Sequence, residues 1–109
     1  MGEKEFFKFL DEGAVTRLRF RLQTAGGEVG RFVVPLEVLV SGEWRVVVRY
    51  DSAHGFIHRD QMLANGRQVK KEIPLPDMAA AIAFAEQDLV DRWEWYIEKY
   101  RGSKRRRLR

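Results

Sequence analysis

The sequence predicts an α+β fold: an antiparallel sheet of about four strands with one long C-terminal helix packed across one face. Three observations carry that prediction. Residues 16–23, 31–40 and 43–50 alternate their side chains with the period of a half-buried strand. Turn signals separate them, Thr24-Ala25-Gly26-Gly27-Glu28 first and Ser41-Gly42 second. Residues 77–101 then repeat apolar side chains at spacings of three and four, the period of an amphipathic helix. Strands followed by a helix make an α+β arrangement rather than a parallel α/β one.

The segment before the first strand, residues 3–12, suits a short helix or an extended lead-in. As a helix it would set Phe6, Phe9 and Leu10 on one face, and Gly13 would end it. In the first strand Leu18, Phe20 and Leu22 point one way, and Arg17, Arg19 and Arg21 the other. In the second, Phe32, Val34, Leu36, Val38 and Val40 oppose Val33, Pro35, Glu37 and Leu39. Pro35 has no N–H for a ladder, so an edge strand or a bulge is expected there. In the third, Trp44, Val46, Val48 and Tyr50 alternate with Arg45, Val47, Arg49 and Asp51, and placing Trp44 and Tyr50 in the core turns Arg45, Arg49 and Asp51 outward. After a turn over residues 51–60, Asn65-Gly66 signals a hairpin and Arg67–Ile73 a fourth, more polar strand ended by Pro74 and Pro76. Asp77 is the expected N-cap of the helix and Gly102 its C-terminal cap. Met78, Ile82, Ala85, Leu89, Trp93, Tyr96 and Tyr100 form its apolar stripe, and Phe84 and Trp95 a narrower second one.

At 109 residues and 45% hydrophobic content the chain supports one domain with a real core. The expected boundaries are a domain over 1–102 and a basic, disordered tail over 103–109. The net charge of +4 resides in that tail, which carries Lys104, Arg105, Arg106, Arg107 and Arg109. Removing those five from 20 basic residues leaves 15 against 16 acidic ones, so the body is close to neutral. A solvated end is the plain reading of such a tail; an arm for nucleic acid or an acidic protein is the sharper one. With no cysteine, disulfides and thiolate metal sites are excluded, and a cytoplasmic location is expected. No apolar run approaches the ~20 residues of a membrane helix, so no membrane partner is expected.

Both histidines fall in Arg49-Tyr50-Asp51-Ser52-Ala53-His54-Gly55-Phe56-Ile57-His58-Arg59-Asp60. Imidazole titrates near neutral pH, so paired histidines can exchange protons as general base and general acid. Metal-independent RNA cleavage needs a base for the 2′-hydroxyl, an acid for the leaving oxygen and a cation for the phosphorane. His54, His58 and Arg49 match those three roles, with Asp51 or Asp60 orienting an imidazole. Two other readings stay open: histidines that hold the turn by hydrogen bonds, or a divalent ion ligated by Asp51, His54, His58 and Asp60. The expectation is that neither a metal nor another cofactor is needed. No phosphate-binding glycine loop, zinc-protease helix motif or serine nucleophile elbow is present.

Arginine pairs bidentately with phosphate, so Arg17, Arg19, Arg21, Arg45 and Arg49 on one sheet face could track a nucleic-acid backbone. Arg17, Arg19, Arg21, Arg45 and Arg59 are accordingly the expected RNA-binding residues. The plain alternative is a solvated face with carboxylate partners such as Glu37.

The run Arg49-Tyr50-Asp51-x-x-His54-Gly55-x-x-His58-Arg59-Asp60, with Asn65-Gly66 and Trp93-Glu94-Trp95-Tyr96, resembles a family of short archaeal and bacterial proteins of unassigned function. More distantly it is similar to the TumE-family toxins of prokaryotic toxin–antitoxin pairs. The matching positions are Arg49, Tyr50, Asp51, Gly55 and His58. The spacer between glycine and histidine is shorter here, Asp60 stands where a second late histidine is usual, and His54 has no fixed counterpart. That resemblance implies a small toxin acting on RNA, with a helix-turn-helix antitoxin as the protein partner that covers the motif. The alternative from another class is a non-enzymatic module that binds nucleic acid or protein. A homodimer is left open.

Overall fold

The computed structural model describes residues 2–52 and 56–102. Its elements are, in order, β1 (Gly2–Phe9), β2 (Thr16–Ala25), β3 (Glu28–Val40), β4 (Glu43–Asp51), β5 (His58–Met62), β6 (Gln68–Glu72) and α1 (Met78–Arg101). The strands form one antiparallel sheet in the order β1-β2-β3-β4-β5-β6, a simple meander. The α+β class and the packed C-terminal helix hold; the sheet has six strands instead of about four. The two additions are instructive. Residues 2–9 are a strand, because β1 finds a complete ladder on β2, from Gly2↔Thr24 to Phe9↔Arg17. Residues 58–62, read as part of a turn, are also a strand, pairing with β4 from Asp51↔His58 to Val48↔Gln61.

Turn chemistry sets the register. Gly26 and Gly27 (φ 62° and 81°), and Ser41 and Gly42 (φ 51° and 81°), take the left-handed conformations that a two-residue hairpin needs. They join Ala25 to Glu28 and Val40 to Glu43.

The core lies between the sheet and α1. It contains Leu18, Phe20, Phe32, Val34, Leu36, Val38, Val48 and Tyr50 from the strands, and Ala81, Ala85, Leu89, Tyr96 and Ile97 from the helix. The stripe read from the sequence is therefore centred correctly. Phe84 and Trp95, its second stripe, are instead exposed. Asp77 caps the helix by accepting a hydrogen bond from the Ala80 N–H at 2.7 Å, and the Gly102 N–H donates to the Glu98 carbonyl at 2.9 Å. The helix bends at Arg92 (φ −124°, ψ 16°). The sheet face away from α1 carries no helix among the described residues, and this open face holds the candidate site.

One sequence expectation fails in a way that matters. Leu36 pairs with Val48, but Glu37 pairs with Val46, so Val47 is an extra residue, a β-bulge. Val47 and Val48 are both fully buried. Beyond the bulge the alternation reverses. Trp44, opposite Leu39, stands on the open face, and Arg45, opposite Val38, stands on the helix face. Pro35 lies next to this irregularity in a central strand, not at an edge. The β2–β3 ladder breaks off after Leu18↔Leu36 and resumes in the same register at Arg21↔Val33, as a proline without a donor would require.

Candidate functional site

Directly opposed residues in an antiparallel pair point to the same face. The pairs Arg49↔Asp60 and Asp51↔His58 therefore set four of the five expected catalytic side chains in a two-by-two block on the open face. Lys70 and Glu72 of β6 extend it, opposite Asp60 and His58 respectively. His54 lies outside the described residues.

Asp60 is the anchor of the block. Only 1% exposed, it receives Arg49 Nη2 at 3.0 Å and Lys70 Nζ at 2.9 Å on its two oxygens. Burial alone would push its carboxyl up. The hydrogen bonds and charges of Lys70 and Arg49 outweigh that and hold it below the usual carboxylate range. Asp60 is thus an ionised brace for two cations and is poorly suited to donate a proton. Arg49 also reaches Asp51, its Nε lying 3.4 Å from Oδ2. His58 is partly buried beside the Phe56 ring (centroids 6.1 Å apart), and its Nδ1 is shielded without a hydrogen-bond partner among the described residues. Among the described residues no group of three histidine, aspartate or glutamate side chains converges for a metal ion.

The linkage sign follows from Asp60's lowered value. Its stabilising contribution is complete above the unfolded aspartate value, about 3.9, and is lost as pH falls through the lower folded value. Asp60→Asn should cost about 1–2 kcal/mol at pH 7, its partners being half exposed. The gap to wild type should close as pH drops below about 4. Urea titrations across pH 2–7 check this, and a gap that widens in acid would refute the assignment.

The expected arginine row is only partly on this face. Arg17, Arg19 and Arg21 are, through Arg17↔Glu37 and Arg21↔Val33. Each is matched with carboxylate: Arg17 Nε to Glu37 at 2.8 Å, Arg19 Nε to Glu5 at 2.7 Å, and Arg21 Nε to Glu5 at 3.8 Å. Arg17 is also held between two rings, 3.8 Å from the Trp44 centroid and 4.5 Å from that of Phe7. Arg45 is carried to the helix face by the bulge and pairs with Glu43 at 3.4 Å. Arg59, opposite Tyr50, also points toward the helix, where its Nη1 donates to the Tyr96 hydroxyl at 3.2 Å. These two cannot share a surface with Arg17, Arg19 and Arg21.

Sequence reasoning missed a second polar cluster, partly buried between sheet and helix. Asp88 accepts hydrogen bonds from the Tyr50 hydroxyl at 2.7 Å, the Tyr96 hydroxyl at 2.6 Å and Arg92 Nε at 2.7 Å. The Tyr96 hydroxyl in turn accepts from Arg92 Nη2 at 2.7 Å. Burial and the neighbouring Asp88 push the Tyr96 hydroxyl up to about 12, and push Tyr50 higher still. Burial opposes ionisation of Asp88, yet the hydrogen bonds from Tyr96, Arg92 and Tyr50 prevail and hold it below its ordinary value. The available signal was an aspartate on the inward side of an otherwise apolar stripe. The Arg-Tyr-Asp run thus divides: Arg49 and Asp51 serve the open face, and Tyr50 ties the sheet to the helix.

Comparison with curated proteins and with solved structures gives no match. A family model does match, over residues 1–106, and the chain belongs to that family, described as a domain of unknown function, DUF7718.

Proposed function

We propose that this protein acts on RNA as a small toxin-type endoribonuclease whose site is the Arg49–Asp51–His58–Asp60 block together with His54. The supporting observation is the β4–β5 register, which gathers an imidazole, a guanidinium and two carboxylates on the open face. In this reading His58 and His54 exchange the protons of 2′-hydroxyl attack and leaving-group departure. Arg49, braced by Asp60, stabilises the phosphorane, and Asp51 is the carboxylate that orients an imidazole. A helix-turn-helix antitoxin would cover the block.

The carboxylates beside Arg17, Arg19, Arg21 and Arg49 favour a second reading. Their charge is largely answered within the face, which weakens phosphate binding there and suits a non-enzymatic module that binds a protein through the face or nucleic acid through the basic segment 103–109. One pair of variants separates the two. The double variant His54→Ala/His58→Ala should lose growth arrest and RNA cleavage by about 10²-fold or more. Full cleavage in that variant would refute the enzymatic reading. Deleting residues 103–109 should leave cleavage intact, whereas a binder that depends on its tail would lose affinity and salt dependence.

A further inference from the structure

The sheet has two edges among the described residues, and they are built differently. Both carry two lysines, but β6 is only five residues long and is followed by Pro74, devices that discourage strand addition. β1 is eight residues long, has no proline and pairs with β2 without a register shift. Every residue of it is exposed, including Phe6, Phe7 and Phe9 at 44–49%. Its free backbone groups can be assigned. The Leu10 N–H donates to the Thr16 carbonyl at 2.9 Å, continuing the β1–β2 register. Backbone groups alternate sides along a strand, so Glu3, Glu5, Phe7 and Phe9 direct their N–H and C=O groups away from β2. This is an open ladder that asks for another strand.

We infer that the strand is β1 of a second copy, in an antiparallel two-fold pairing centred on Phe7. A two-fold axis perpendicular to the sheet keeps each face on its own side, so even-numbered residues oppose even ones and odd oppose odd. The axis must then pass through a residue pair. Charge and ladder length select which one: like charges directly opposed destabilise a sheet, and centring on Phe9 would leave only Lys8, Phe9 and Leu10 paired before the chain turns away at Asp11. Centring on Glu3 or Glu5 opposes glutamate to itself, and centring on Lys4 or Lys8 opposes lysine to itself. Centring on Phe6 sets Lys4 against Lys8 twice. Centring on Phe7 opposes Phe7 to Phe7, Glu5 to Phe9, Phe6 to Lys8 and Lys4 to Leu10, with no like-charge pair. All the outward groups of Glu5, Phe7 and Phe9 are then paired. The chain leaves the strand line at Asp11, whose carboxylate instead accepts from the Thr16 N–H at 2.9 Å. One strand against another is small beside the ~800 Å² per partner of a stable interface. The dimer is therefore weak and concentration-dependent. It joins two sheets into one, with both open faces on the same side. This inference does not depend on the RNA reading.

The chain has no cysteine, so a single introduced one reports only on its own two-fold mate. In sedimentation the wild-type mass should rise toward twice the monomer mass with concentration. Under mild oxidation Phe7→Cys should form a disulfide-linked dimer severalfold faster than Glu5→Cys or Phe6→Cys. Phe7 and its mate lie about 5.5 Å apart, within disulfide reach, whereas Phe6 is diagonal to its mate at about 7–8 Å and Glu5 lies roughly 14 Å from its own. Phe7→Arg should return the chain to monomer, with circular dichroism checking that it folds. Monomeric wild-type chain at the highest soluble concentration, preferential cross-linking at position 5 or 6, or a monomer whose β1 pairs with a different protein would each overturn the proposal.

Discussion

Asp88→Ala is expected to lower the unfolding free energy by about 3 kcal/mol, the low end for breaking a buried charge cluster by removing one partner. Three donors converge on this carboxylate at 2.6–2.7 Å, and two of them are hydroxyls of fully buried tyrosines. Alanine would leave the Tyr50 and Tyr96 hydroxyls without their acceptor in a partly buried interface, at about 1–3 kcal/mol for each unsatisfied group. It would also leave Arg92 and Arg59 facing each other across Tyr96 with no neutralising charge. Arg92 is partly exposed and can turn to water, which keeps the loss at the lower figure. Asp88→Asn keeps an acceptor of the same shape and should cost less, about 1–2 kcal/mol. Urea denaturation of the two variants at pH 7 measures the difference. A loss below about 1 kcal/mol for alanine would mean the cluster does not hold helix to sheet. The acid limb has the same sign as at Asp60. The folded carboxyl lies below its unfolded value, so stability is complete above about pH 4 and declines as pH falls through the folded value.

Two kinds of information were legible in the sequence, and one was not. Period-two alternation placed Arg17, Arg19 and Arg21 on one face of β2, and helical spacing placed Ala85, Leu89 and Tyr96 in the core, because both patterns are local. The paired glycines Gly26-Gly27 and the Ser41-Gly42 turn were equally readable, since positive φ has few tenants. Pairing partners were not readable. Residues 2–9 have a mixed pattern, and only the ladder on β2 makes them a strand. Residues 58–62 look like a turn until β4 and β6 flank them. The site reflects the same limit. Arg49, Asp51, His58 and Asp60 were picked as neighbours along the chain, but what joins them is the cross-strand register. Lys70, ten residues beyond Asp60 in sequence, completes the charge balance. Asp88 lies 38 residues from Tyr50, too far for any local signal to reveal their contact.

The bulge at Val47 is the strongest case of a local break with long-range consequences, because it lets two stretches of β4 keep different registers on β3. Before it Trp44 and Val46 face Leu39 and Glu37, and after it Val48 and Arg49 face Leu36 and Pro35. Val47→Ala removes two buried carbons from a fully packed site and should cost about 2 kcal/mol. Deleting Val47 makes Val46 and Val48 consecutive opposite Glu37 and Leu36, so the ladder closes with both flanking registers kept. Trp44 then stays on the open face beside Arg17, Arg45 stays on the helix face, and the turn at Ser41-Gly42 is untouched. What is lost is the buried valine side chain and the local twist of the bulge, so deletion should cost about 2–4 kcal/mol, close to the truncation. Urea midpoints of the two variants give the comparison. Trp44 fluorescence, read in a background with Trp93 and Trp95 replaced by phenylalanine, should be unchanged by the deletion. A shifted Trp44 spectrum, or a deletion costing more than about 3 kcal/mol beyond Val47→Ala, would show that the two registers do not close on each other.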